Sequence, residues 1–217
     1  MNVRAVLFDL DGTLIDSLGD LTDSVNHMLA SFDRSIRGPA EIRPLVGKGA
    51  RNLVQRALGT DDATQIDQGL ASFLEYNSSH IAEKSTLYPG ARETLESLAE
   101  QSIALAVISN KNESLCRSIL EALHIDTFFK IICGGDTFEE MKPSPLPLLK
   151  AVELLAVPVN CSVMVGDSSN DIQAGIRAGI VTVGCSWGYG YPEELREANH
   201  RAASCNDLIR ILLQPDP

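Results

Sequence analysis

Short runs of β-branched and other apolar residues alternate along the chain with longer stretches whose apolar positions recur every three or four residues. Val3 to Phe8, interrupted only by Arg4, predicts a strand that ends against Asp9. Ile103 to Ile108, Phe129 to Cys133, Ser162 to Val165 and Ile180 to Val183 have the same character. Each is bounded by polar or turn residues, as strands covered on both faces are. Between them, Ala91 to Glu100, Glu113 to Leu123, Leu146 to Ala156 and Asp171 to Ala178 carry helical spacing, with acids near several starts and Gly or Pro near several ends. Strand alternating with helix predicts an α/β domain built on an open, mostly parallel sheet with helices on both faces.

One stretch breaks this rhythm. Residues 16–84 contain no convincing strand but several helix-like segments, including Leu21 to Phe32, Arg51 to Leu58 and Ala63 to His80. They predict a helical domain inserted into the α/β domain, which is assigned residues 1–15 and 85–217. Pro89 and Gly90 punctuate the return to the sheet.

Composition narrows the candidate functions. The 217 residues, 44% hydrophobic, suffice for one large domain or two modest ones. Eighteen Lys and Arg against 29 Asp and Glu give a formal net charge of −11, a field that repels nucleic-acid backbones and anionic lipid surfaces. Neither nucleic acid nor a membrane is therefore an expected partner, and an anionic substrate needs a local positive site or a bound cation. Cys116, Cys133, Cys161, Cys185 and Cys205 form no CxxC pair and read as reduced thiols. The four histidines show no zinc-ligand spacing. The apolar run at the start is too short, and its acids come too early, for a signal peptide. No segment approaches the roughly 18 apolar residues of a membrane span, so the expected compartment is the cytoplasm.

The acidic residues concentrate at strand ends. Asp9-Leu10-Asp11-Gly12-Thr13 follows the first strand, and Gly166-Asp167-Ser168-Ser169-Asn170-Asp171 follows the strand Ser162 to Val165. Ligands of open α/β sheets bind at that edge. Taken singly, Asp11 also fits an Asp-Gly turn, and Asp167 and Asp171 fit a helix cap and a helix N-terminal acid. Four converging carboxylates would instead call for a hard divalent cation in an all-oxygen site, for which Mg²⁺ is suited. Ser109-Asn110-Lys111 supplies a hydroxyl and an amide after another strand, and Lys142-Pro143 stands just before a helix. Each also has an ordinary use, as a helix cap or a solvated lysine.

Four elements in the order DxDGT, Ser-Asn, Lys-Pro and GDxxND, each at or after a strand end, resemble the haloacid dehalogenase superfamily. The helical insertion is similar to that family's cap. The resemblance implies a Rossmann-like core and an aspartyl-phosphate mechanism in which Asp9 is the nucleophile and Asp11 the general acid and base. Mg²⁺ would be held by Asp9, the main-chain carbonyl of Asp11 and Asp167, with Asp171 in support. Thr13, Ser109 and Lys142 would bind the phosphoryl group, with Asn110 as a helper. The family's dehalogenases lack an aspartate at the position of Asp11, so its presence implies phosphoryl transfer.

Substrate choice is expected in the cap, where Arg37, Arg43, Lys48, Arg51 and Arg56 face a single acid, Glu41, over residues 37–56. Arg43 and Lys48 are the candidate substrate residues, with Gly47-Lys48-Gly49 as a candidate anion-binding turn. Arg43 to Ala50 with Leu53 and Val54 is similar to the cap of phosphoglycolate phosphatases. The implied reaction is Mg²⁺-dependent hydrolysis of a small anionic metabolite, 2-phosphoglycolate first, to glycolate and phosphate, by a monomer or homodimer. Alternatives are a phosphosugar mutase or pyrophosphatase of the same superfamily and, from another class, a phosphorylatable signalling module. Trp187 to Tyr191 reads as a surface loop without a site residue.

Overall fold

A computed structural model of the chain describes residues 2–213. Residue 1 and residues 214–217, the ends of the expected core range, lie outside the described residues. The chain opens with β1 (Ala5–Phe8) and the two-residue β2 (Ile15–Asp16). It then passes through α1 (Leu18–Ser31), α2 (Pro39–Ile42), α3 (Ala50–Leu58) and α4 (Ala63–Ser79) before β3 (Thr86–Leu87). There follow α5 (Ala91–Glu100), β4 (Ala104–Ile108), α6 (Glu113–Ala122), β5 (Ile131–Cys133), α7 (Leu146–Leu154) and β6 (Ser162–Gly166). The last elements are α8 (Ser169–Ala178), β7 (Val181–Cys185), β8 (His200–Ala202) and α9 (Cys205–Leu213).

Six strands form one sheet in the order β5-β4-β1-β6-β7-β8, with every neighbouring pair parallel. The chain starts in the middle, builds outwards to β5, then crosses back to β6 on the other side of β1. That reversal is the topological switch point of a doubly wound sheet, and it opens a crevice at the carboxyl ends of β1, β4 and β6. All four residues of β1 are buried. Val6 and Phe8 pack with Leu95 and Leu98 of α5 and Leu208 and Leu212 of α9, whereas Leu7 packs on the opposite face with Leu148 of α7 and Ala174 of α8. Burial on both faces is why β1 shows no polar alternation.

The expected open, mostly parallel α/β sheet is present, with differences at its margins. The run Phe129 to Cys133 is strand only at Ile131–Cys133, two residues beyond a 3₁₀ turn over Asp126–Phe128. β8 and α9 had no counterpart in the expected elements. Of the three residues of β8 only Ala202 is buried, too little apolar sequence to stand out.

Helices α1 to α4 pack around an apolar cluster of their own that includes Val25, Met28, Leu53, Val54 and Phe73. The chain leaves and re-enters the sheet domain through the antiparallel pair β2 and β3, with Ile15 opposite Leu87 and Asp16 opposite Thr86. Among the described residues no helix is long and apolar enough to cross a membrane.

Candidate active site

Parallel pairing of β1 with β6 sets Phe8 beside Val165, so the residues that follow, Asp9 and Asp167, emerge at the same edge. Asp171 reaches the same point from the first turn of α8. There its Oδ2 accepts from the main-chain N–H of Ser168 at 3.0 Å and from the Ser168 hydroxyl at 2.7 Å. This box fixes the rotamer of Asp171 and stabilises the helix start. Carboxylate oxygens of Asp9, Asp167 and Asp171 all lie within 4.8 Å of one another, and all three residues are buried.

Lys142, delivered by the loop between β5 and α7, stands against two of them. Its Nζ is 2.9 Å from Asp9 Oδ1 and 2.6 Å from Asp171 Oδ1. Burial opposes the Lys142 charge, but Asp171 and Asp9 prevail and hold the ammonium above its ordinary range. Burial pushes Asp9 up to about 6, with Lys142 pulling against it and Asp171 adding to it. Asp167, which burial and the charges of Asp9 and Asp171 both oppose, is pushed up to about 8 even though it accepts from the amides of Gly190 and Tyr189. Three buried carboxylates facing one ammonium leave an uncompensated negative charge, and the donors are all oxygen. That donor set fits a hard divalent cation, which would restore the balance.

The carboxylate of Asp11 does not join this group, contrary to the expected convergence of four. Beyond the end of β1 the chain turns at Gly12, whose φ of +90° suits glycine, and a Cβ there would meet Asp167 Oδ2 at 2.5 Å. Asp11 instead accepts from the Ser17 hydroxyl at 2.5 Å and faces Lys111, whose Nζ lies 3.5 and 3.4 Å from its two oxygens. Of Asp11, only the main chain is left to meet a cation held by that group.

Ser109 and Asn110 follow β4. The Ser109 Oγ accepts from the Lys111 amide at 3.3 Å, leaving its own proton free to be donated. Asn110 directs both Nδ2 protons to carbonyls, of Gly47 at 2.9 Å and of Lys142 at 2.8 Å. Its side chain thus ties the helical domain to the Lys142 loop and has no donor left for phosphate. Only its main-chain amide could fill the expected phosphate role. Thr13 donates its hydroxyl to Asp167 Oδ1 at 3.3 Å.

The loop after β7, assigned no site residue from sequence, contributes heavily. Tyr189 N and Gly190 N donate to Asp167 Oδ2 at 2.6 and 3.1 Å. The Tyr189 hydroxyl accepts from Ser17 N at 2.6 Å and donates to Asp16 Oδ1 at 2.9 Å. Arg43 from the helical domain lays its guanidinium on the same loop, donating from Nε to Tyr189 O at 3.0 Å and from Nη2 to Gly188 O at 2.7 Å. Nearby, the Gly47 carbonyl accepts from Asn170 at 3.1 Å as well as from Asn110. The Gly47 carbonyl of the expected anion-binding turn thus docks the helical domain on the sheet domain.

Two cavities open onto Asp9 and Asp11 beneath the helical domain. One, about 50 Å³, is bounded by Ser109, Lys111, Asn77 and apolar groups such as Leu53 and Phe73. The other, about 140 Å³, is lined by Asp167, Arg43, Lys48 and Glu194.

A family model described as haloacid dehalogenase-like hydrolase matches residues 6–185. The chain belongs to this family. Among haloacid dehalogenase-like hydrolases, a phosphoglycolate phosphatase of Pseudomonas putida is 43% identical over 216 residues, 96% of this chain and 78% of the relative. The solved structure of a predicted phosphoglycolate phosphatase from Haemophilus somnus matches with a TM-score of 0.91 at 30% identity, over 97% of this chain and 98% of the other. CbbY from Rhodobacter sphaeroides, solved in complex with phosphate, matches at 0.83 and 25% identity, over 95% and 96%.

Proposed function

We propose that this chain is a Mg²⁺-dependent phosphomonoesterase that hydrolyses a small anionic metabolite, 2-phosphoglycolate first, through an aspartyl-phosphate on Asp9. The observation that carries this is the buried group Asp9, Asp167 and Asp171 braced by a single ammonium, Lys142. Asp9, Asp167 and the Asp11 carbonyl would hold the cation, with Asp171 behind them positioning Lys142. When bound, Mg²⁺ would supply charge neutralisation for the carboxylates and for the phosphoryl oxygens.

Asp9 keeps one oxygen on Lys142 and attacks phosphorus with the other, forming an Asp9 O–P bond as the bond to the leaving oxygen breaks. Asp11 gives that oxygen its proton, then takes a proton from the water that cleaves the Asp9 O–P bond and releases phosphate. The hydroxyl of Ser109, the main-chain amide of Asn110 and the Lys142 ammonium hold the phosphoryl oxygens in place, where positioning and charge supply most of the rate. Thr13 steadies Asp167.

Residues 16–84 act as a cap that closes over the reacting atoms and excludes water. Arg43 secures it to the Gly188 to Tyr189 loop, and Lys48 gives the mouth a positive charge in an otherwise acidic molecule. A cavity of about 50 Å³ on the Asp11 side holds roughly three to five water-sized groups. That space suits a small leaving group of two or three carbons. The family membership and the similarity to phosphoglycolate phosphatases support the same substrate class.

The test is phosphate release from a panel of 2-phosphoglycolate, sugar phosphates, nucleotides and pyrophosphate, with and without Mg²⁺, using Asp9→Asn as the blank. Mg²⁺-dependent release, greatest from 2-phosphoglycolate, is expected. Stoichiometric phosphorylation without turnover would overturn the proposal in favour of a signalling role.

A further inference from the structure

If Asp11 is to protonate the leaving oxygen, the leaving group lies against its carboxylate, and of the two cavities that reach Asp11 the one of about 50 Å³ is also lined by Lys111, which stands against that carboxylate. Most of the cap-side wall of this cavity is apolar, with Leu21, Val46, Leu53 and Phe73 contributing. Two acceptors lining the cavity, Asn77 from the cap and Asn110 from the sheet domain, have fixed orientations. Ser24 donates its hydroxyl proton to the Asp20 carbonyl and so must accept from Asn77 Nδ2, which leaves Asn77 Oδ1 as the free atom. Asn110, with both Nδ2 protons on carbonyls, likewise leaves Oδ1 free, and neither oxygen has a partner. Neither can balance a negative charge.

Lys111 is the one cation among the described residues that line this cavity. Its side chain is 8% exposed, and its ammonium stands 3.4 Å or more from the Asp11 carboxylate, too far for a tight charge-assisted bond. An ammonium buried this deeply, and loosely paired, gains from a second anion.

We propose that Lys111 is the specificity-determining residue of this enzyme, binding a carboxylate on the leaving group of the phosphomonoester. Given the phosphomonoesterase reaction proposed above, on which this assignment depends, the substrate is a phosphorylated 2-hydroxy acid of two or three carbons. Lys48 lines the other cavity, away from the leaving group.

The experiment compares kcat/KM for 2-phosphoglycolate and for 2-hydroxyethyl phosphate, which replaces the carboxylate by a neutral CH₂OH, in the wild type, Lys111→Met, Lys111→Arg and Lys48→Met. Wild-type protein should prefer 2-phosphoglycolate. Lys111→Met should shrink that preference by roughly 10- to 150-fold, the range set by a hydrogen bond to a charged group. Lys111→Arg should restore part of it, and Lys48→Met should shrink it far less than Lys111→Met does. Any general damage to Asp11 lowers both substrates together and cancels in the ratio. Equal losses on both in Lys111→Met, or a wild type without preference, would overturn the assignment while leaving the phosphomonoesterase intact. A wild type that hydrolyses neither compound, nor any other phosphomonoester in the presence of Mg²⁺, would overturn the reaction itself and the assignment with it.

Discussion

Arg43 and Tyr189 meet across the boundary between the helical domain and the sheet domain, the guanidinium Nε donating to the Tyr189 carbonyl at 3.0 Å. The amide of the same tyrosine donates to Asp167 Oδ2 at 2.6 Å, so one residue joins the seat of the cap to a carboxylate of the buried acidic group. Arg43→Ala removes two hydrogen bonds to carbonyls, each worth about 0.5–1.5 kcal/mol net. kcat/KM should fall by roughly 5- to 150-fold for charged and neutral leaving groups alike, because the loss lies in closure. A loss confined to carboxylated substrates would make Arg43 a substrate ligand instead.

Stability of the metal-free protein should decline as pH rises. Asp9 and Asp167 are held up to about 6 and about 8, above the ordinary 3.8, largely by burial. The folded chain therefore keeps protons that the unfolded chain has already released. Stability falls as pH climbs from about 4 through about 8, the opposite of the usual salt-bridged carboxylate. Melting curves in chelator should show Tm dropping between about pH 5 and about pH 8.5, and Mg²⁺ should raise Tm most at the alkaline end. A metal-free Tm that rises over this range would show that these carboxylates are better compensated than their distances imply.

Asp9, Asp167, Asp171 and Lys142 were legible in the sequence because each stands just beyond a strand or beside a helix start, where side-chain type and position both mark it. The sheet was legible because strands buried on both faces leave continuous apolar runs. Tyr189 was not. Its part at Asp167 is played by a main-chain amide, which no residue pattern encodes, and its hydroxyl meets Ser17 across 172 positions. The pairing of Lys111 with Asp11 was hidden for the same reason, since sequence spacing carries no information about which strand ends become neighbours. Asn110 was legible as a polar group at the site, but which way its amide points depends on Gly47 and Lys142.

Lys142→Met should be among the most destabilising single changes. It strands Asp9 and Asp171 in a buried setting without their shared cation, and breaking a buried pair in this way costs about 3–5 kcal/mol. Denaturant unfolding in chelator at neutral pH should show that loss. Mg²⁺ should recover part of it by supplying positive charge to the same group of carboxylates, while activity stays lost. If the variant were as stable as the wild type in chelator, the carboxylates would have to be protonated already.

Tyr189→Phe separates the two ends of the tyrosine. The variant keeps the main-chain amide on Asp167 and removes only the hydroxyl that accepts from Ser17 N at 2.6 Å and donates to Asp16 Oδ1 at 2.9 Å. Ser17 N–H is then left buried without its acceptor, at a cost of about 1–3 kcal/mol, and Ser17 is the residue whose hydroxyl holds Asp11 at 2.5 Å. Loosening Ser17 misplaces the Asp11 side chain, the proton donor, while the Asp9 and Asp167 carboxylates and the Asp11 main chain, proposed to hold the cation, make no bond to that hydroxyl. kcat should fall roughly tenfold or more, since small misplacement of a positioned acid is felt in the chemical step. KM and the Mg²⁺ dissociation constant should hardly move. Turnover at several Mg²⁺ concentrations measures all three together. Weakened Mg²⁺ binding with kcat preserved would mean that the hydroxyl governs the loop around Asp167, and that Asp11 finds its place without Ser17.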